Sequence, residues 1–230
     1  LYNLKDNDGE GLFSSLVEAS NNRLYGVARN GGDNNKGTLF SFVKSTKNFT
    51  KLFDFGSVNG ELPMSSLIEY NGMLYGVTRN GGASNNGVIF EYNFNSSSFN
   101  VVHHFDGSNG AHPEGDLVIH NGELYGVTSR GGASNNGVIF SFDGNSFVNE
   151  YEFQSTDGAS TIAGLISVGN VLYGNARLGG ANNSGTIFRF NSISKVFSKL
   201  FDFNSNDGER PRGKLMLNDN LLLGTTERGG

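Results

Sequence analysis

The sequence predicts an all-β protein written as about five copies of one unit, and three recurring phrases carry that reading. Leu24-Tyr25-Gly26-Val27 returns as Leu74-Tyr75-Gly76-Val77, Leu124-Tyr125-Gly126-Val127, Leu172-Tyr173-Gly174-Asn175 and, with the tyrosine replaced, Leu222-Leu223-Gly224-Thr225. A glycine pair follows each phrase, starting at Gly31, Gly81, Gly131, Gly179 and Gly229, so the period is about 50 residues. The third phrase, Gly-Thr/Val-Leu/Ile-Phe, starts at Gly37, Gly87, Gly137 and Gly185. Units of about 1–51, 52–102, 103–150 and 151–199 follow, with an incomplete one at 200–230.

Within one period four short runs have strand character. In the second unit they are residues 66–70, 73–78, 88–93 and 99–105, rich in aromatic or branched residues and bounded by Gly, Asn or Ser. Asn71-Gly72 and Asn121-Gly122 join the first two runs, where a two-residue hairpin turn needs positive φ at both positions and Asn-Gly adopts it at little cost. Gly169-Asn170 and Asn21-Asn22 hold the equivalent slots. The aromatic pairs Phe40/Phe42, Phe90/Tyr92, Phe140/Phe142 and Phe188/Phe190 are two residues apart, hence on one face of the third strand. That face is expected to pack against the neighbouring unit, because a four-stranded sheet of this size cannot bury both faces alone. Radial stacking as a β-propeller of about five four-stranded blades, one domain over 1–230, is the expected architecture, with an open β-solenoid as the alternative. Residues 1–4 align with Leu52 to Phe55 and are expected as a fourth strand; residues 213–226 supply the first two strands of a fifth blade. That blade closes by mixing strands from both chain ends or is completed from elsewhere.

Composition narrows the function classes. The chain has no Cys, which excludes a disulfide framework, a thiolate nucleophile and a zinc finger. A net charge of −5 argues against nucleic acid and against an anionic membrane surface. No apolar run reaches the roughly 18 residues of a membrane-spanning helix, so membrane insertion is not expected.

An arginine stands beside every glycine pair: Arg29, Arg79, Arg130, Arg177 and Arg228. Guanidinium groups so repeated suit bidentate clamping of the carboxylates or sulfates of an acidic glycan, and equally suit pairing with local carbonyls and carboxylates. Asp6, Asp8 and Glu10, around Asn7 and Gly9, have the oxygen-rich pattern of a calcium loop, although the equivalent stretches at Asn59-Gly60 and Asp157-Gly158 keep only a turn signal. Calcium is the one cofactor candidate. Asn48, Asn95 and Asn182 fit the N-glycosylation pattern. All four histidines lie between 103 and 120, yet His103 aligns with Phe53, Tyr151 and Phe201, His104 with Asp54, Glu152 and Asp202, and His120 with Tyr70. They read as variants of strand positions rather than catalytic groups, and no nucleophile motif is present.

At these phrases the chain resembles the bacterial tandem repeats whose consensus runs Leu-Tyr-Gly-Thr-Thr, Gly-Gly and Gly-Thr-Val-Phe over about 50 residues, with Leu222 to Gly230 and Gly185 to Phe190 as close matches. The resemblance implies a secreted or surface protein and carries over no catalytic residue. Together the readings give an expectation of a non-enzymatic, extracellular structural or adhesive protein partnered by copies of itself. A multivalent carbohydrate-binding propeller recognising extracellular glycans is the alternative, and a polysaccharide hydrolase or lyase a more distant one.

Overall fold

A computed structural model describes residues 2–5, 7–219 and 221–230. It is all-β among the described residues, with 21 strands. They are β1 (Val17–Glu18), β2 (Leu24–Ala28), β3 (Thr38–Val43), β4 (Asn48–Asp54), β5 (Glu61–Pro63), β6 (Ile68–Tyr70), β7 (Met73–Asn80), β8 (Val88–Asn93) and β9 (Ser98–His104). These are followed by β10 (Val118–His120), β11 (Glu123–Val127), β12 (Val138–Phe142), β13 (Phe147–Glu152), β14 (Ile166–Val168), β15 (Val171–Ala176), β16 (Thr186–Asn191) and β17 (Val196–Asp202). The last four are β18 (Glu209–Pro211), β19 (Met216–Asn218), β20 (Leu221–Leu223) and β21 (Thr226–Arg228). The chain divides into two compact units, Leu1–Asp106 and Gly107–Gly230.

Each complete repeat forms an antiparallel meander in sequence order: β1-β2-β3-β4, β6-β7-β8-β9, β10-β11-β12-β13 and β14-β15-β16-β17. The Asn-Gly turns behave as the sequence requires, with φ of 50° at Asn71, 75° at Gly72, 50° at Asn121 and 83° at Gly122. Every ladder between third and fourth strands shifts register at the same place, between Leu39/Phe40, Ile89/Phe90, Ile139/Phe140 and Ile187/Phe188. A bulge increases local twist, so its recurrence gives the four sheets the same curvature. The fifth repeat contributes the β19–β20 hairpin and the β18–β21 pair.

Two local features differ from the expectation. Residues 2–5 form no strand, and Leu1 lies outside the described residues. In the other repeats the fourth strand is paired to the third strand preceding it, whereas residues 2–5 pair with no strand among the described residues. The side chain of Tyr2 nevertheless takes its repeat position: its ring stacks on Phe49 at 4.6 Å, as Phe53 stacks on Phe99 at 3.7 Å and Tyr151 on Phe197 at 4.2 Å. The second feature is β5, a short strand in what reads as a polar loop, where Glu61 pairs with Asn80 and Pro63 with Thr78 across a left-handed Leu62 (φ 56°).

The core lies between successive sheets. In the first unit Tyr25, Val27, Leu39 and Phe55 pack against Leu67, Leu74, Phe90 and Tyr92 of the next sheet. In the second, Tyr125, Val127, Ile139 and Phe153 pack in the same way against Leu165, Leu172, Phe188 and Phe190. Phe90 and Tyr92, and Phe188 and Phe190, thus do face the neighbouring repeat, whereas Phe40 and Phe42 line an open apolar cavity. Phe90 and Phe188 each enter a socket made by the preceding repeat's Phe and by two leucines and a glycine of its own sheet. Phe90 meets Phe55 edge-on at 5.2 Å, and Phe188 meets Phe153 at 5.1 Å. A Cβ on Gly76 would lie 2.6 Å from Phe90 Cζ and 2.9 Å from Leu67 Cδ2, so the second-strand glycine makes room for the ring.

Gly76→Ala overpacks this socket and is expected to cost about 1–3 kcal/mol in a denaturant melt. Gly72→Ala meets no atom within 4 Å but needs φ near +75°. Its expected cost is the smaller backbone one, about 1–2 kcal/mol.

Candidate functional site

The loops joining second to third strands are built by asparagine. The N–H of Gly31, Gly81, Gly131 and Gly179 donates to Oδ1 of Asn35, Asn85, Asn135 and Asn183 at 3.0–3.1 Å, or 2.9 Å in the third case. Those four asparagines are left-handed, with φ between 52° and 57°. One acceptor per repeat pins the loop to the fourth strand: Asp54 Oδ1 takes the N–H of Asp33, His104 Nδ1 that of Ala83, Glu152 Oε2 that of Ala133 and Asp202 Oδ1 that of Ala181. His104 therefore does in its repeat what a carboxylate does in the others, with Nδ1 unprotonated.

The d–a connections, from fourth strand to next first strand, meet these loops. Leu62, His112, Ser160 and Arg210 all have φ between 54° and 58°, at one repeat slot that Gly11 occupies in the first copy. The N–H of Leu62 donates to Lys36 O (2.9 Å), that of Ser160 to Asn136 O (3.3 Å) and that of Arg210 to Ser184 O (2.8 Å). Sequence reading missed this strained position, although Gly11 and the prolines that follow at Pro63, Pro113 and Pro211 mark it. At the first such junction Asn34, Lys36, Ser57, Asn59 and Glu61 line an open polar cavity of about 420 Å³. Lys36 and Glu61 form a 3.1 Å ion pair within it.

The arginines fall into two slots rather than one. Arg29, Arg79 and Arg177 stand two residues before the glycine pair, where the third and fifth repeats have Ser129 and Glu227; Arg130 and Arg228 stand one residue before it. Successive residues of an extended chain point to opposite sides. Arg29 lies over the Phe13 ring at 5.4 Å, a cation–π distance, with its Nε buried and without a hydrogen-bond partner among the described residues. Arg79 donates from Nη1 to Asn80 Oδ1 at 3.1 Å. Arg177 binds Glu227 through Nε at 3.1 Å and Nη2 at 2.9 Å, so residues of one slot in successive repeats adjoin. That guanidinium holds the Glu227 carboxyl below its usual range. Arg130 and Arg228 are exposed.

Asp8 is a turn residue. Its Oδ2 accepts from Tyr2 Oη (2.8 Å) and Lys5 N (3.0 Å), as Asp157 Oδ2 accepts from Tyr151 Oη (2.7 Å) and Gln154 N (3.1 Å). The backbone of Glu10 bridges to Asn30 while its side chain is exposed, and Asp6 lies outside the described residues. No three His, Cys, Asp or Glu side chains gather at metal-binding distance among the described residues. Asn48, Asn95 and Asn182 are exposed, but Asn182 Nδ2 already donates to Phe203 O at 3.0 Å.

His120 is buried and bridges two repeats, Nδ1 to Ser167 Oγ at 2.8 Å and Nε2 to Ser192 Oγ at 2.7 Å. Burial lowers its pKa. His103 packs edge-on against Phe105 at 5.0 Å, and burial pushes its pKa down to about 4 against the opposing pull of Asp106. Burial disfavours the charged form of both rings in the folded state. An unfolded chain takes up protons on them below about pH 6.5, so folding stability falls as pH drops from there towards 4. His103→Phe, which restores the residue of the Phe53 slot, is expected to flatten the fall in Tm between pH 7 and pH 5. An unchanged pH profile would show that His103 does not carry it.

Several solved structures share this architecture. Over 94% of this chain and 72% of the other, the fold superposes on a chain of a nidogen/laminin complex with a TM-score of 0.60 at 12% identity. It superposes on the GH74 enzyme of Niastella koreensis with a TM-score of 0.55 at 14% identity, covering 82% of this chain and 30% of that one. On TolB from Acinetobacter baumannii the TM-score is 0.50 at 13% identity, over 82% and 42% of the two chains. All three are β-propeller proteins, which makes the four-stranded meanders propeller blades. At such identities the likeness is one of fold alone. A search of curated protein sequences found no match. The family model described as the Gloeobacter/Verrucomicrobia repeat matches twice, over residues 1–140 and 109–230. The chain belongs to that bacterial repeat family.

Proposed function

We propose that the protein is a non-enzymatic, extracellular structural or adhesive β-propeller that associates with copies of itself. The observation that supports this best is an exposed apolar surface on the first blade. Leu67 and Leu165 are 5% and 0% exposed beneath a neighbouring blade, whereas Leu16, at the same slot, is 48% exposed, beside Leu12 at 53% and Phe13 at 64%. Tyr2, Leu16, Leu24, Phe40, Phe42 and Phe49 line an apolar cavity of about 280 Å³ there. An exposed apolar patch of this kind marks an association surface in a protein that stays in solution. The near-identity of the blades favours a scaffold over one asymmetric catalytic centre.

Sedimentation velocity and negative-stain electron microscopy over a concentration series test the reading. The expected result is concentration-dependent assembly of the parent protein and its loss in Leu16→Asp/Phe13→Ser, with the β-sheet circular dichroism of both unchanged. A single-chain species at every concentration would remove self-association.

The polar cavity at Asn34, Lys36, Asn59 and Glu61 supports a second reading, multivalent glycan binding on the loop face. Glycan-array binding that weakens at least tenfold in Arg79→Ala/Arg130→Ala would favour it and give the arginines a ligand. Unchanged binding would exclude those two residues, and release of reducing ends from polysaccharides would point instead to a hydrolase.

A further inference from the structure

We propose that the seam between the third and fourth blades is a pH-sensitive joint, held closed by the imidazole of His120 and loosened in mildly acidic surroundings, while the seam between the first and second blades does not respond. Each seam lies within one of the two compact units. Three apolar positions of the first seam are replaced together in the other by one polar network.

At the end of the first strand His120, which pairs with Glu123, takes the slot of Ala19, which pairs with Arg23. At the fourth-strand bulge Glu150 takes the slot of Leu52. In the turn that reaches the seam from the following blade, Ser192 takes the slot of Phe94. The first seam is accordingly apolar at these points. Ala19 is buried, Leu52 packs on the core and the Phe94 ring lies 6.0 Å from Tyr25. Its polar link is a carboxylate, Glu69, which accepts from the N–H and the hydroxyl of Ser20 at 2.7 and 2.6 Å.

His120 is 2% exposed and lies edge-on to Tyr125 at 5.3 Å. Ser192 Oγ accepts from Asn121 Nδ2 at 3.0 Å and donates to Asn170 O at 3.4 Å, so in its 2.7 Å bond with His120 Nε2 the ring is the donor. Nδ1 is then the acceptor for Ser167 Oγ at 2.8 Å. A ring with its one proton on Nε2 therefore satisfies both groups of the following blade. A second proton goes on Nδ1, where it reverses the Ser167 bond and leaves a charge out of reach of water. Burial opposes that charge, and the carboxylate of Glu123 on β11 favours it less strongly. The other charged groups facing this seam, Glu150 of β13 and Lys195 of the turn before β17, pair with each other at 2.5 Å. The Glu150 side chain is 4% exposed and also accepts from Ser141 Oγ at 2.9 Å.

Separating the two blades at this end lets water reach Nδ1, so the opened seam takes up the proton that the closed one resists. Opening is thus favoured as pH falls through the ordinary histidine range. With an opened-state pKa of about 6.5, opening becomes about tenfold more frequent at pH 5.5 than at pH 7.5. The joint is independent of whether the chain associates with copies of itself.

Hydrogen–deuterium exchange of the 230-residue protein, corrected for the intrinsic effect of pH, tests it. Exchange over residues 118–125 and 189–194 is expected to rise about tenfold between those two pH values, and that over 17–25 and 91–96 by less than about twofold. His120→Gln, whose amide donates and accepts but takes no proton, is expected to abolish the rise. So is His120→Ala/Ser192→Phe, which recreates the Ala19/Phe94 pairing of the first seam; one of the two variants with the parent's β-sheet circular dichroism suffices. Exchange that does not change with pH, or a rise that persists in the variants, overturns the inference. An equal rise at the first seam overturns it as well, because that is the signature of global unfolding driven by His103.

Discussion

The structure depends on a phenyl ring lodged in a socket that two repeats build together. Phe90 and Phe188 are fully buried against Phe55 and Phe153 of the preceding repeat, so neither partner of the contact exists within one sheet. Edge-to-face aromatic contacts of this kind add roughly 0.5–1.5 kcal/mol to the burial of the rings. A single four-stranded sheet has one apolar face too many, and the socket is how the next copy covers it. The glycine of the Leu-Tyr-Gly phrase belongs to the same device, because any side chain there would occupy the space of the ring.

A second, polar layer holds the blades at the loop end. The asparagines that close each loop and the Asp54, His104, Glu152 and Asp202 acceptors that tie it to the fourth strand use their hydrogen-bonding capacity internally. This accounts for a polar composition that needs no ligand to explain it. It also makes the loop end rigid, and groups on rigid elements are positioned at low entropic cost to any partner that binds there.

Much of this was legible in the primary structure. The period, the hairpin turns, the shared face of Phe40/Phe42 and its equivalents, and the reading of His103 and His104 as strand variants follow from local rules that a chain obeys before it packs. The candidate site was legible in part. Aligning the arginines by their nearness to Gly-Gly concealed a shift of one residue, which in an extended chain is a change of side, and it concealed that Arg177 meets the Glu227 of its own slot one repeat on. The strained slot at Leu62, His112, Ser160 and Arg210 was hidden for a related reason: three of its four side chains are bulky or charged, and nothing in their identity announces a positive φ.

By itself the sequence determined the strand count per repeat, the turns and which residues share a face, because backbone sterics and a side-chain period of two act over a few neighbouring residues. Tertiary structure decided which of the repeated positions are covered. Leu16 and Leu67 are the same residue in the same local setting, yet one is exposed and the other buried, and only the presence of a neighbouring sheet distinguishes them. Burial is a relation between distant segments that no local pattern encodes.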